Sequence, residues 1–121
     1  MGSDVVESEF SDPLLQPIQI GKVELSNRIF SSSHAPGYNA DGTPSERYIA
    51  YHEEKARGGI GLTMIGGSSN VSIDSASLWG QLNFGQDQII EPLAEMAQRV
   101  HKHGTAIMLS LIHISEPTRP Y

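Results

Sequence analysis

Two short polar stretches of this sequence carry residue types that could hold a ligand. Ser31-Ser32-Ser33-His34 sets three hydroxyls beside an imidazole, and Gly66-Gly67-Ser68-Ser69 bares backbone next to two more hydroxyls. Such groups can hydrogen-bond a cofactor, and a pair of residues without side chains lets a flat ring come close to the backbone. Both stretches also have plain readings, the serines as a solvated loop and the glycines as backbone without a ligand role, and the residues alone leave both open. The five histidines (His34, His52, His101, His103 and His113) show no metal-binding spacing such as H-E-x-x-H. His101 and His103 diverge on a helix and read as solvent-facing residues suited to its C-terminal end. His52 is expected to pack beside Tyr48 and Tyr51. No spacing argues for a Ser-His-Asp arrangement. The absence of cysteine excludes disulfides, thiolate metal sites and a cysteine nucleophile within the chain.

The elements that must position these stretches follow from local pattern. Ile18, Ile20, Val23 and Leu25 around Gly21-Lys22 predict a short β-hairpin. Asn27 to Ser33 reads as a strand ending in small polar residues. Pro36-Gly37 and Asp41-Gly42 mark a loop. Thr43-Pro44-Ser45-Glu46 has the form of a capping box with proline at the first helical position. The helix then runs to Gly58-Gly59, with Lys55 and Arg57 at the negative end of its dipole. Ile60 to Ile65 is a short apolar run that fits a strand buried on both faces. A polar loop to about Gln86 follows, in which Trp79 and Phe84 are expected to pack. Ile89, Leu93, Met96, Ala97 and Val100 form one stripe of a second helix, whose regular part starts near Glu91 because of Pro92. Gly104 ends it, and Thr105 to Met108 starts another strand.

The order is therefore hairpin, β, α, β, α, β, an α/β pattern with parallel strands. The polar stretches lie at the C-terminal ends of strands, where α/β folds bind ligands. A Rossmann fingerprint is absent, because Gly58-Gly59 precedes its strand and Gly66-Gly67 leads into a long loop.

Composition narrows the function classes. The net charge of −6 makes nucleic acid a poor partner, since phosphate binding needs clustered Lys and Arg. Much of the excess comes from Asp4, Glu7, Glu9 and Asp12, and residues 1–12 read as a frayed acidic tail. Neither a membrane-spanning run nor a signal peptide is evident, so no membrane partner and a cytoplasmic location are the expectations.

Taken together, LSNRIFSSSHAPGYNADGTPSERYIAYHEEKARGGIGLTMIGG, with the later HKHGTAIM, resembles the start of the old yellow enzyme family. Its flavour is nearest the branch of trimethylamine dehydrogenase, dienoyl-CoA reductase and the N-methylproline demethylases. The resemblance covers about Asp12 to Met108. It implies the first part of a (β/α)8 TIM barrel, FMN as cofactor, a small-molecule substrate and an oxidoreductase activity. First choice is oxidation or demethylation of an N-methylated amine, and second an enoate or dienoyl-CoA reductase using NAD(P)H. A small non-enzymatic α/β binding domain is the reading from another class. By the resemblance, Ser32, Ser33, His34 and Ala35 lie against the flavin at the end of the first barrel strand, and Gly67 does so at the end of the second. Ala35 stands where trimethylamine dehydrogenase-like members have a cysteine linked to FMN, so that bond cannot form here. Catalytic residues, any 4Fe-4S cluster and an oligomeric interface would belong to parts of the family beyond this chain.

The pattern breaks at the third strand. The family has a flavin-binding glutamine at the place of Ser110. From Leu109 to Arg119 the sequence LSLIHISEPTR instead resembles the translation of a transposase adapter used in sequencing libraries. The expectation is that residues 13–108 are barrel, that residues 109–121 are an adapter-derived tail, and that His113 has no site role. A chain of three strands would be an inactive fragment with an exposed strand edge.

Overall fold

The computed structural model describes residues 11–75 and 80–111. Its first feature is a hairpin. β1 (Ile18–Ile20) pairs antiparallel with β2 (Val23–Leu25), and Gly21 takes the left-handed backbone that the turn needs, at φ 61°. Before it, the Asp12 carboxylate accepts from the Leu14 N–H at 3.0 Å and caps a single turn, Pro13–Leu15, so Asp12 is tied down rather than frayed.

A second sheet holds three parallel strands in sequence order: β3 (Phe30–Ser31), β4 (Leu62–Ser69) and β5 (Ala106–Leu111). β3 is shorter than the predicted Asn27 to Ser33. Asn27 is drawn out of the strand by its side chain, which donates to the Gly59 carbonyl at 2.7 Å and accepts from the Ile29 N–H at 3.0 Å. β4 is longer than predicted, running through the glycine pair. β5 includes Leu109, Ser110 and Leu111, the first residues of the stretch read as adapter-derived. His113, Trp79 and residues 1–10 lie outside the described residues.

Helix α1 (Glu46–Arg57) joins β3 to β4. Its cap is Ser45, not Thr43. The Thr43 hydroxyl and N–H are both spent on the Asp41 carboxylate, at 2.8 and 3.0 Å. Asn39 Oδ1 holds the Ser45 N–H, and Ser45 Oγ accepts from the Tyr48 N–H at 3.1 Å. Pro44 thus precedes the cap. The helix ends at Gly58, and Gly59 follows at φ 100°. α2 (Ile90–His101) joins β4 to β5 and is preceded by a 3-10 turn at Asp87–Ile89, as Pro92 required.

Both helices pack on one face of the sheet. Tyr48, Ile49, Ala56, Ile65, Leu82, Ile89, Met96 and Val100 form the core between the layers. Arg99 ties the helices together, bonding Glu53 at 2.7 Å, Glu46 at 3.0 Å and Glu95 at 3.1 Å. Lys102 and His103 also reach Glu53, each at 3.3 Å. His103 is therefore partly buried in this cluster instead of facing solvent; His101 is exposed as expected. The opposite sheet face is open, with Phe30 56% and Met108 42% exposed. Among the described residues, no helix is long and apolar enough to cross a membrane.

Candidate functional site

The C-terminal ends of the three parallel strands meet at the glycine pair. Register runs evenly from Leu62↔Ala106 to Ile65↔Leu109, then jumps to Ser69↔Leu111. Gly66, Gly67 and Ser68 thus face Ser110 alone, as a bulge in β4. Gly66 and Gly67 have φ 103° and 82°, where a side chain would be strained.

Crowding adds a second reason for glycine. A Cβ on Gly66 would collide with the Ser110 carbonyl and lie 2.7 Å from Ser69 Oγ. A Cβ on Gly67 would lie 3.0 Å from the Ala35 nitrogen and 3.2 Å from the His34 carbonyl carbon. The structure therefore brings His34, Ala35 and Gly67 together, backbone to backbone. The space beside Gly67 is filled by the first strand's continuation, so this packing by itself demands the glycine. Ser32 and His34 are exposed, and Ser33 and Ala35 are half-buried.

Three α1 side chains hold this arrangement from behind, and sequence reasoning assigned none of them to it. Tyr48, 1% exposed, accepts from the Gly66 N–H through its hydroxyl at 2.9 Å. Burial pushes the phenol up to about 12, so it stays protonated. His52, packed edge-on between Tyr48 and Tyr51, meets the Thr63 hydroxyl through Nδ1 at 2.8 Å. Its burial, with a smaller contribution from the nearby Lys55 charge, lowers the imidazole to about 4 and keeps it neutral. Lys55 donates to Ser31 Oγ at 2.7 Å while its ammonium sits 4.3 Å from the centre of the Tyr51 ring. The available signal was spacing: residues 48, 52 and 55 share one helical face. Among the described residues no cluster of His, Asp and Glu could hold a metal.

The loops after β3 and β4 close over each other. Asn39 N–H donates to the Gly80 carbonyl at 3.2 Å, and Asn83 N–H to the Gly42 carbonyl at 2.8 Å. A groove of about 330 Å³, lined in part by Leu15, Asn27, Lys55 and Gly59, includes residues from the opposite, N-terminal side of β4.

This strand arrangement matches part of a larger barrel. The chain superposes on the old yellow enzyme of Pichia sp. AKU4542 with TM-score 0.77 at 22% identity, over 84% of this chain and 26% of that one. The family model described as NADH:flavin oxidoreductase / NADH oxidase matches residues 13–118. The chain belongs to that family. Family relatives include a "Multifunctional alkene reductase/demethylase OYE" of Caballeronia cordobensis, 47% identical over 86% of this chain and 15% of the relative. A "Probable N-methylproline demethylase" of Rhizobium meliloti (strain 1021) is 45% identical over 90% of this chain and 16% of its own length. The chain thus spans about one sixth of these relatives, and its strands form the opening part of a TIM-barrel architecture.

Proposed function

We propose that this chain supplies the first flavin-facing strand ends of an FMN-dependent oxidoreductase acting on an N-methylated amine. The observation that carries the proposal is the convergence of the His34-Ala35 backbone and Gly67 at the strand ends. Support comes from relatives 45% and 47% identical, both with demethylase in their names.

In this reading Ser32, Ser33, His34, Ala35 and Gly67 lie along the isoalloxazine. Their donors are hydroxyls, backbone groups and one imidazole, a set that fits a polar ring. It contains no Lys or Arg for a phosphate, which residues elsewhere would have to bind. When bound, FMN supplies the hydride chemistry. This chain's own contribution is to fix the bulge through Tyr48 and the first strand end through Lys55. NAD(P)H is the proposed electron donor where the substrate itself is not. A 4Fe-4S cluster, if part of the whole protein, would be held by residues this chain lacks. A cytoplasmic, water-soluble enzyme without nucleic-acid or membrane partners completes the reading.

The second reading is an ene-reductase, favoured by the words "alkene reductase" in the name of the 47% identical relative. Purifying the product of the intact gene separates the two. Anaerobic bleaching of its yellow colour by N-methylproline supports the first, and bleaching by NADH with reoxidation by an enoate supports the second. A colourless, folded product overturns the FMN reading.

Residues 13–108 are proposed as the barrel portion and 109–121 as adapter-derived. Because the family match runs to residue 118, the codons decide. If those for Leu109 to Arg119 differ from the adapter, the tail is native.

A further inference from the structure

Helix α1 has two charged flanks of opposite sign. Toward α2 it presents Glu46 and Glu53. Arg99 bonds both of them, and Lys102 and His103 also reach Glu53. The other flank, beside β3, is basic. Arg47, Tyr51 and Lys55 stand at four-residue steps and so share one stripe of the helix. The Arg47 guanidinium lies 4.0 Å from the centre of the Tyr38 ring, in the loop after β3. Lys55 sits over Tyr51 and donates to Ser31 of β3.

Among the described residues, neither cation of this stripe has a carboxylate partner. Glu54, which borders the same flank, pairs with Arg57. Arg47 is exposed and Lys55 half-buried. A lysine ammonium has three donors, so one hydroxyl and one ring face leave it capacity for a carboxylate.

The sheet is open on the same side. The strand order β3-β4-β5 leaves the outer edge of β3 without a strand among the described residues. Leu15, Ile29, Gly58 and Ile60 line part of the groove beneath α1 there, and Leu15 and Ile29 are exposed. In a closed barrel of parallel strands, each followed by its helix, the first strand pairs with the last. The helix after the last strand then enters the outer ring beside the first helix.

We infer that this last barrel helix, in the part of the protein beyond this chain, docks on the basic flank of α1. Its carboxylates meet Arg47 and Lys55, and one of its apolar side chains fills the groove. Residues 47 and 55 are separated by about 12 Å along the helix axis, at about 1.5 Å per residue. The partner carboxylates therefore stand two turns apart, seven or eight residues from one another. α1 itself offers Glu46 and Glu53 to α2 at that spacing. An acidic flank of one helix against the basic flank of the next is thus repeated where the ring closes. This docking follows from the barrel fold and is independent of substrate and cofactor.

Carbodiimide treatment of the intact full-length protein tests it, because the reagent joins an amine to a carboxylate without a spacer. Peptide mapping by mass spectrometry is expected to find Lys55 joined to an Asp or Glu of the last barrel helix. Lys102 joined to Glu53, 3.3 Å away, is the internal control. Lys55 left unjoined while that control forms overturns the inference. So does Lys55 joined only to acids within residues 1–121. In a mixture of nitrogen-15 and unlabelled protein, hybrid-mass pairs at Lys55 would place a second copy on this flank and also overturn it. The double variant Arg47→Glu, Lys55→Glu is expected to melt several degrees below wild type. The gap should shrink by half or more at about 1 M salt, where the Debye length is about 3 Å. Loss of the Ser31 bond alone would also lower Tm, so reversal decides. Changing the cross-linked acid to lysine in the double variant is expected to recover at least half of the loss. No recovery overturns the inference.

Discussion

Replacing Tyr48 by phenylalanine removes one oxygen and leaves the ring in place. The Tyr48 hydroxyl accepts from the Gly66 N–H at 2.9 Å, in a site where Tyr48 is 1% exposed. Without it, a buried backbone donor has no partner, which costs about 1–3 kcal/mol. Removing a buried hydroxyl recovers part of that, so the expected loss is about 1–2 kcal/mol. In a domain of this size that corresponds to a fall in Tm of roughly 4–12 °C. Urea unfolding followed by circular dichroism reads it as a lower midpoint at unchanged slope. Amide exchange at Gly66 and Gly67 should accelerate more than exchange in the middle of α1, because the bulge loses its hydrogen bond to the helix. A midpoint within about 0.3 kcal/mol of the parent, with unaltered exchange at Gly66, would refute the claim that Tyr48 holds the bulge.

Further outcomes follow from the same geometry. Gly67→Ala meets both a φ of 82° and the Ala35 nitrogen at 3.0 Å, whereas Gly21→Ala meets a φ of 61° and open space. Both should lose about 1–2 kcal/mol to backbone strain, and Gly67→Ala should lose measurably more in denaturation. His52 titrates near 6.5 unfolded and about 4 folded. The unfolded chain binds the extra proton between those values, so stability should be full above pH 6.5 and fall by about 3 kcal/mol on acidification to pH 4. A His52→Asn variant should lose that slope in urea titrations taken at successive pH values. Glu53 is held down to about 2, first by the Arg99 hydrogen bond and then by His103. Its contribution is present above pH 4.5 and lost as pH falls through 2, and Arg99→Met should remove most of that acid limb.

How much of this could be read in the chain depended on the distance over which each feature is decided. The hairpin is settled within eight residues, Ile18 to Leu25, by alternation around one glycine, and the sequence was sufficient for it. The cap of α1 was misplaced by two residues because Asp41 competes for the Thr43 hydroxyl, a side-chain choice that the capping pattern does not weigh. The end of β4 was missed because paired glycines signal equally a stop or a bulge; only contact with Ser110 and Ala35 distinguishes them. Tyr48 looked like an ordinary core residue, since its partner lies 18 positions away.

The register jump between Ile65 and Ser69 has a bearing on which sequence lengths this fold can accept. Four steps along β4 answer two along β5, so the surplus is two residues. Because side chains alternate sides at every step, an even surplus returns Ser69 to the side of the sheet that Ile65 occupies. A single inserted or deleted residue among positions 66–68 would reverse that parity and turn Ser69 to the other side of the sheet. Length variation among functional relatives should therefore come in twos at this point, while the loop beyond residue 70 is free to change by any number.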